Sequence, residues 1–489
     1  MAHLTLHGKE QELQQVGKHF LIYDPCCGTG GMLTAAKELI KEESHRDDIK
    51  VYLYGQELNE KTYAICKSDL LIKGDTQNLD KQVFQGDTLG DTLADDKLYG
   101  KKFNFMLANP PFGVDWGKDE HTKKVVLKDN CPGGRFEAGL PSTSDGSLLF
   151  LMHMISKMDD QNGSRIGIVL NGSPLFNGDA GSGWSNIRKS LLDRNLLDAI
   201  VALPKNLFYG TDISSYLWIL DNKRPAERQN KVLFIDANYP DFVNPLQKSL
   251  GKKRFEISDA GITAILNLYS AYKTSSCPIK DEETGEFKML EIAKLLDYDD
   301  FLYTKVSTQR PLRLWFEDIT SKYSALCTDE NFDPESKKNL IQKTISQVVG
   351  IDIKRSDSEF FTFLKEKKVK VAATEIKTIR TAFGIIDEDA PEVHENPLKP
   401  ESGIVPDSNL SDTEIVPMKD DIEDYFEREV IPFAPDAWME RSKDKVGCEF
   451  PFTKLFYIYK PLRSSEAIMK ELEDLEKSTM GEIANLRSE

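Results

Sequence analysis

A chain of 489 residues is long enough for one large domain and one or two smaller ones, and 40% hydrophobic residues supply a core. No run of 18 apolar residues occurs, which excludes a membrane span, and Met1–Phe20 lacks the apolar stretch of a secretory signal. The formal charge of −17 argues against strong phosphate binding, but 15 acids against only Lys399, Lys419 and Arg428 fall between Asp387 and Glu429, leaving about −5 for the remainder.

From Phe20 the pattern is strand, turn, helix, repeated. Phe20–Tyr23 is a short apolar strand ending in a glycine turn, and Met32–Glu43 has helical composition. Val51–Gly55 is a second strand and Lys61–Ile72 a second helix; Val83–Gln85, Phe103–Ala108 and Arg165–Leu170 follow as strands. This alternation predicts an α/β fold with a mostly parallel sheet. Leu197–Leu203 and Ser214–Leu220 are separated only by a loop and are expected to form an antiparallel edge pair. Gly113–Gly146 is a long, glycine-rich, charged insert without a clear period. Beyond Asp221 the pattern weakens. Glu317–Arg380 reads as mostly helical, an acidic linker begins at Ile386, and Ser464–Leu486 is an amphipathic helix with Ile468, Leu472, Leu475, Ile483 and Leu486 along one stripe. The expected divisions are 1–19, 20–250, 251–385, 386–430 and 431–489. Seven scattered cysteines, odd in number and without Cys-x-x-Cys, suit a reduced cytosolic chain with no metal site.

Two motifs carry chemistry. Asp24-Pro25-Cys26-Cys27-Gly28-Thr29-Gly30-Gly31 stands where the first strand meets the first helix. Its glycines permit a sharp turn and close approach of a ligand, but the spacing is neither Gly-x-Gly-x-x-Gly nor a phosphate loop. An acid leading such a turn suits a ligand with a cationic end. Glu57, closing the second strand, can accept ribose hydroxyls, and Asp87 can accept from an adenine amine. The second motif is Asn109-Pro110-Pro111-Phe112, directly after a strand. An amine conjugated to a ring is a weak nucleophile until its two hydrogens are held by acceptors. The Asn109 side-chain oxygen and the Pro110 carbonyl can do that, with Pro111 restricting Pro110 so that its carbonyl is aimed in advance. Phe112 offers a face for an extruded base.

The two motifs in this order resemble the amino-methyltransferases. Asp145-Gly146-Ser147-Leu148-Leu149-Phe150, Ile166-Gly167-Ile168-Val169 and Ala202-Leu203-Pro204-Lys205-Asn206-Leu207-Phe208-Tyr209 narrow the resemblance to the modification subunit of type I restriction-modification systems. The resemblance implies a Rossmann-like class I methyltransferase fold and transfer of a methyl group from S-adenosylmethionine to the N6 amine of adenine in DNA. It implies that Asp24, Gly28, Thr29, Gly30 and Gly31 line the amino-acid end of the cofactor, with Glu57 at its ribose and Asp87 at its adenine. Asn109, Pro110 and Phe112 would receive the target adenine, with Phe208 a candidate for its other face.

The partners the resemblance implies are DNA, a specificity subunit that reads the sequence, a restriction (motor) subunit and a second modification subunit, with the C-terminal helix docking on the specificity subunit. Lys118, Lys123, Lys124, Lys128 and Arg135, with Trp116 and Phe136, make the insert either a contact for a displaced strand or a solvated loop. Family members carry a long helical domain ahead of the glycine turn. Only about 20 residues precede it here, so the resemblance is to an N-terminally truncated or split member. Two alternatives stay open: a catalytically impaired scaffold, and a protein-glutamine or RNA amino-methyltransferase.

Overall fold

The computed structural model describes residues 1–46, 48–74, 81–91, 94–281, 285–328, 345–459 and 464–486. Its centre is a ten-stranded sheet. In chain order the strands are β1 (His19–Asp24), β2 (Lys50–Glu57), β3 (Val83–Gln85), β4 (Phe105–Ala108), β5 (Arg165–Asn171), β6 (Leu197–Leu203), β7 (Ser215–Asp221) and β8 (Lys231–Asp236). A separate hairpin, β9 (Val243–Leu250) and β10 (Lys253–Ile257), precedes β11 (Ser275–Lys280) and β12 (Phe287–Asp297). The sheet order is β11-β12-β8-β6-β7-β5-β4-β1-β2-β3.

Strands β1 to β5 are parallel to one another, with β4 between β1 and β5, and β5 meets β7 antiparallel on its other side. Such strands are covered on both faces and therefore read as continuous apolar runs. In β4 all four residues are buried. Met106 and Ala108 join the cluster on one face, Phe105 and Leu107 the cluster on the other, each large side chain contributing roughly 1.5–3 kcal/mol. The helix Gly31–Ser44 follows β1 and places Leu33, Ala36 and Ile40 against the second face.

β6 and β7 pair antiparallel as expected, but they are not the edge of the sheet. β8 lies parallel to β6, and β12 and β11 extend the sheet beyond it. Val232–Ile235 is a wholly buried apolar run; at four residues it is too short to stand out among the polar residues around it. The sheet thus continues well past the expected boundary at residue 250.

A second sheet forms where Leu302–Gln309 pairs with Asp412–Pro417, Trp438–Met439 and Lys445–Cys448. A third small unit packs Leu314–Phe316 against the helices Asp357–Glu366 and Ala373–Phe383, with Phe316 and Phe360 stacked at 4.2 Å. Residues 329–344, within the stretch expected to be helical, lie outside the described residues. Residues 386–430 differ from the acidic linker expected. Val393 and Val416 are buried, Asp412–Pro417 is a paired strand, and Ile422–Glu429 is a helix with buried Phe426. Most of its acids coat the outside of folded elements, so their number measured the surface and not the absence of a core.

The end of the second sheet plugs the first. Phe450 meets Trp218 edge-on at 5.4 Å, and Phe452 stacks on Phe234 at 5.0 Å. The Ser185 hydroxyl accepts from the Cys448 amide at 2.8 Å. Buried Arg188 donates to the carbonyls of Cys448, Pro174 and Asn177 at 2.7, 3.1 and 2.9 Å.

Candidate active site

The carboxyl ends of β1, β2, β3 and β4 meet along one edge, where a cavity of about 1010 Å³ opens. Pro25 and Cys26 line it from the turn after β1, Glu57 and Gln85 from the ends of β2 and β3, Asp87 and Thr88 just beyond, and Asn109 and Pro111 from the end of β4. Asn109 is exposed at the mouth of this space and Pro110 is buried beneath it. Residues far apart in sequence are thus brought to one wall, as their positions after parallel strands require.

The glycine turn is held from below. Gly28 (φ +55°) donates its amide to Glu57 Oε2 at 2.9 Å, and Glu57 Oε1 accepts from the Asn59 amide at 2.8 Å, fixing the carboxylate. Gly30 caps the next helix at φ +82°, and a Cβ there would stand 2.8 Å from Cys66 Sγ. Glycine is therefore required twice over, by conformation and by space. Thr29 and Gly31 are exposed.

Asp24 does not face the cavity. It is 2% exposed, behind Pro25 and Cys26, and its Oδ1 accepts from the Cys26 amide at 3.0 Å. Burial pushes its carboxyl up to about 7, against the pull of that amide, with Glu57 raising it slightly further. Burial likewise pushes the Cys26 thiol, which lines the cavity, well above the usual range. Phe112 and Phe208 do not line the cavity either; both are half-buried against one apolar cluster that includes Val169, Val201 and Leu203.

The insert supplies the wall that sequence reasoning missed. Trp116, Asp119 and Thr122 line the cavity, and the Thr122 hydroxyl donates to Asp87 Oδ2 at 2.7 Å. Asp119 caps the helix Glu120–Asp129 by accepting from the Thr122 amide at 2.7 Å, a contact that lowers its pKa. An Asp followed by Glu and then a Val-Val pair is a helix-start signal that could have found this element. Trp116 and Phe136 are buried, and Arg135 donates to the Thr88 and Gly90 carbonyls and to Asp129. These three are packed into the fold and are unavailable to a displaced strand. Lys118, Lys124 and Lys128 remain exposed. Phe150, on the helix Ser147–Ser156, adds a further aromatic wall.

The chemistry of the lining can be tested against a ligand. Among the described residues it has five carboxylates, Glu57, Glu60, Asp87, Asp115 and Asp119, and no lysine or arginine. Leu58, Leu89, Trp116 and Phe150 supply apolar surface. Such a space suits a molecule with a cationic end and a flat ring, and disfavours a pyrophosphate. Among the described residues no three His, Cys, Asp or Glu side chains cluster to hold a metal ion, and no helix is long and apolar enough to cross a membrane.

A mixed sheet that gathers a glycine turn and an Asn-Pro-Pro-Phe segment on one edge has the architecture of a class I methyltransferase, the class that draws its methyl group from S-adenosylmethionine. Comparison with known proteins narrows this. The chain belongs to the N-6 DNA methylase family, whose model matches residues 10–304. It is 28% identical over 268 residues to the type I restriction enzyme MjaVII methylase subunit of Methanocaldococcus jannaschii, covering 53% of this chain and 42% of the relative. It is 27% identical over 346 residues to the MpnII methylase subunit of Mycoplasma pneumoniae, covering 69% and 57%. The solved type I restriction-modification methyltransferase subunit from Streptococcus thermophilus is 25% identical, with a TM-score of 0.46, covering 61% of this chain and 54% of that one. The chain spans about half the length of the curated relatives it matches.

Proposed function

We propose that this chain carries the methyl-transfer site of an adenine-N6 DNA methyltransferase working within a type I restriction-modification complex. The observation that carries the reading is the single cavity that runs from the turn at Pro25–Cys26 past Glu57 and Asp87 to Asn109. S-adenosylmethionine, when bound, supplies an electrophilic methyl group on a positively charged sulfur. Glu57 would hold its ribose, Asp87 with Thr122 its adenine, and the buried Asp24 carboxyl would favour the cationic end through the Cys26 turn. Gly28 and Gly31, with open space where a side chain would stand, leave the backbone accessible to the ligand.

The target amine is then handled by the chain itself. Asn109 Oδ1 and the Pro110 carbonyl accept its two hydrogens, drawing the nitrogen toward tetrahedral geometry and freeing its lone pair. Phe112 and Phe208, packed on one apolar cluster beside the cavity, would offer their faces to a base swung out beyond its rim. Rate comes from positioning and from acceptors fixed in advance, with no covalent intermediate on the protein. DNA, a specificity subunit, a motor subunit and a second modification subunit are the partners this role requires. The C-terminal helix Ser465–Leu486 supports docking of the specificity subunit. It leaves Ile468, Met469, Leu472 and Leu475 exposed on one stripe; the side chains of Ile483 and Leu486 lie outside the described residues.

Calorimetry with S-adenosylmethionine, followed by an assay for N6-methyladenine in DNA with a cognate specificity subunit present, tests the proposal. Binding and methylation are expected. A chain that binds no S-adenosylmethionine overturns the enzymatic reading and leaves a scaffold.

A further inference from the structure

The hairpin of β9 and β10 has no part in the reaction described above. Its strands pair with each other and lie outside the main sheet. It is fastened instead to the loop after β6. The amides of Arg254 and Phe255 donate to the Asn206 carbonyl at 2.9 and 3.3 Å, and the Lys252 amide donates to the Tyr209 carbonyl at 3.0 Å. Gly251 turns the hairpin at φ +60°, where a Cβ would stand 2.9 Å from the Tyr209 carbonyl oxygen and 3.0 Å from its ring. The close seat of turn on tyrosine thus depends on glycine.

This places the hairpin on the edge that bears Asn109. β5 and β6 are both antiparallel to β7, and β4 is parallel to β5, so β6 runs with β4 and its loop leaves the sheet on the same side. Phe112 and Phe208, one from each loop, rest against the same apolar cluster.

The charge there opposes that of the chain. Residues 243–257 hold four cations, Lys248, Lys252, Lys253 and Arg254, against Glu256 alone, a net +3 in a chain of −17. Lys248, Lys252 and Arg254 are exposed and Lys253 is half-buried. Lys252 pairs with Asp212 at 3.0 Å, both largely in solvent, a pair of little strength. Among the described residues no carboxylate lies within 4.0 Å of Lys248, Lys253 or Arg254. Tyr209 is 71% exposed beside them, a flat surface among unpaired cations.

We infer that the β9–β10 hairpin, with Tyr209, grips the DNA phosphate backbone beside the base delivered to Asn109. The inference rests on the proposed methyltransferase reading but concerns a surface that the cavity does not include. The acidic cavity repels phosphates, whereas the hairpin attracts them, so the two would hold the backbone on one side of the opening.

The test is the salt dependence of binding to a short labelled DNA duplex by the full chain in the presence of S-adenosylmethionine. Each phosphate contact contributes about 0.9 to the slope of log K against log salt. The triple variant Lys248→Ser, Lys253→Ser, Arg254→Ser is expected to lose roughly 2.7 from that slope, with cofactor binding unchanged. Lys365→Ser, Lys367→Ser, Lys370→Ser removes the same charge from exposed positions elsewhere and is expected to leave the slope alone. Tyr209→Ala should weaken binding without changing the slope. If the triple variant melts early, Arg254→Gln replaces it, with an expected loss of about 0.9. An unchanged slope in the hairpin variants, or an equal loss in the control, overturns the inference and leaves the methyltransferase reading standing. A wild-type chain that binds neither cofactor nor DNA overturns both.

Discussion

Two stretches of one sheet edge carry opposite charge. At the ends of β1 to β4 the cavity lining holds five carboxylates and, among the described residues, no lysine or arginine. At the end of β6 the attached hairpin holds four cations in a chain whose total is −17. Net charge therefore says little about what either stretch binds; the sign at each strand end says more. Asn109 lies at the rim of the acidic side, where a cationic methyl donor and a base tethered to phosphates could both be tolerated.

That contrast can be broken at several points. Asn109→Ala should have the largest effect, a loss of about 10²–10³-fold in methyl transfer as for removal of one group aimed at the reacting centre. Cofactor and DNA binding should both stay as in wild type, and a normal transfer rate measured with the specificity subunit would remove Asn109 from the reaction. Gly30→Ala should cost roughly 2 kcal/mol in urea unfolding, since the new Cβ meets Cys66 Sγ at 2.8 Å and the left-handed φ alone costs about 1–2 kcal/mol.

Asp24 sharpens the comparison through pH. Its folded carboxyl is pushed up to about 7 by burial, above the unfolded value of about 3.9. The stability contributed by the neutral form is fully present below about pH 4 and is lost as the pH rises through about 7. A thermal melt should show wild type losing ground to Asp24→Asn across that window. A cationic ligand favours the ionised carboxylate, so cofactor affinity should rise roughly tenfold between about pH 6 and about pH 8 in wild type and stay flat in Asp24→Asn. Thr122→Val should have the smallest effect, about threefold weaker cofactor binding through a misplaced Asp87, with Thr122→Ser restoring it. Equal affinity of all three chains by calorimetry would make Thr122 a bystander.

The positions of the two motifs were legible because chemistry forces residue types there: a turn that excludes side chains, and an Asn-Pro-Pro that fixes carbonyls. The strands up to β7 were legible from their apolar runs. The orientation of Asp24 was not, because an acid before a turn can face the ligand or sit behind it, and only packing decides. The insert was opaque for a similar reason. Its helix is short and charged, and the burial of Trp116 and Phe136 depends on what lies beneath them. The acidic stretch after Ile386 misled because its ladder partners, including Leu302–Gln309, lie about a hundred residues earlier.

The plug formed by Phe450 and Phe452 bears on how the molecule is made. Cys448 and Ser185 are 263 positions apart, yet they complete one core. During translation the main sheet emerges well before Phe450 and Phe452, and the sides of Trp218 and Phe234 that they cover stay open until they arrive. A fragment cut at residue 304, where the family match stops, would be left in that unfinished, aggregation-prone condition permanently.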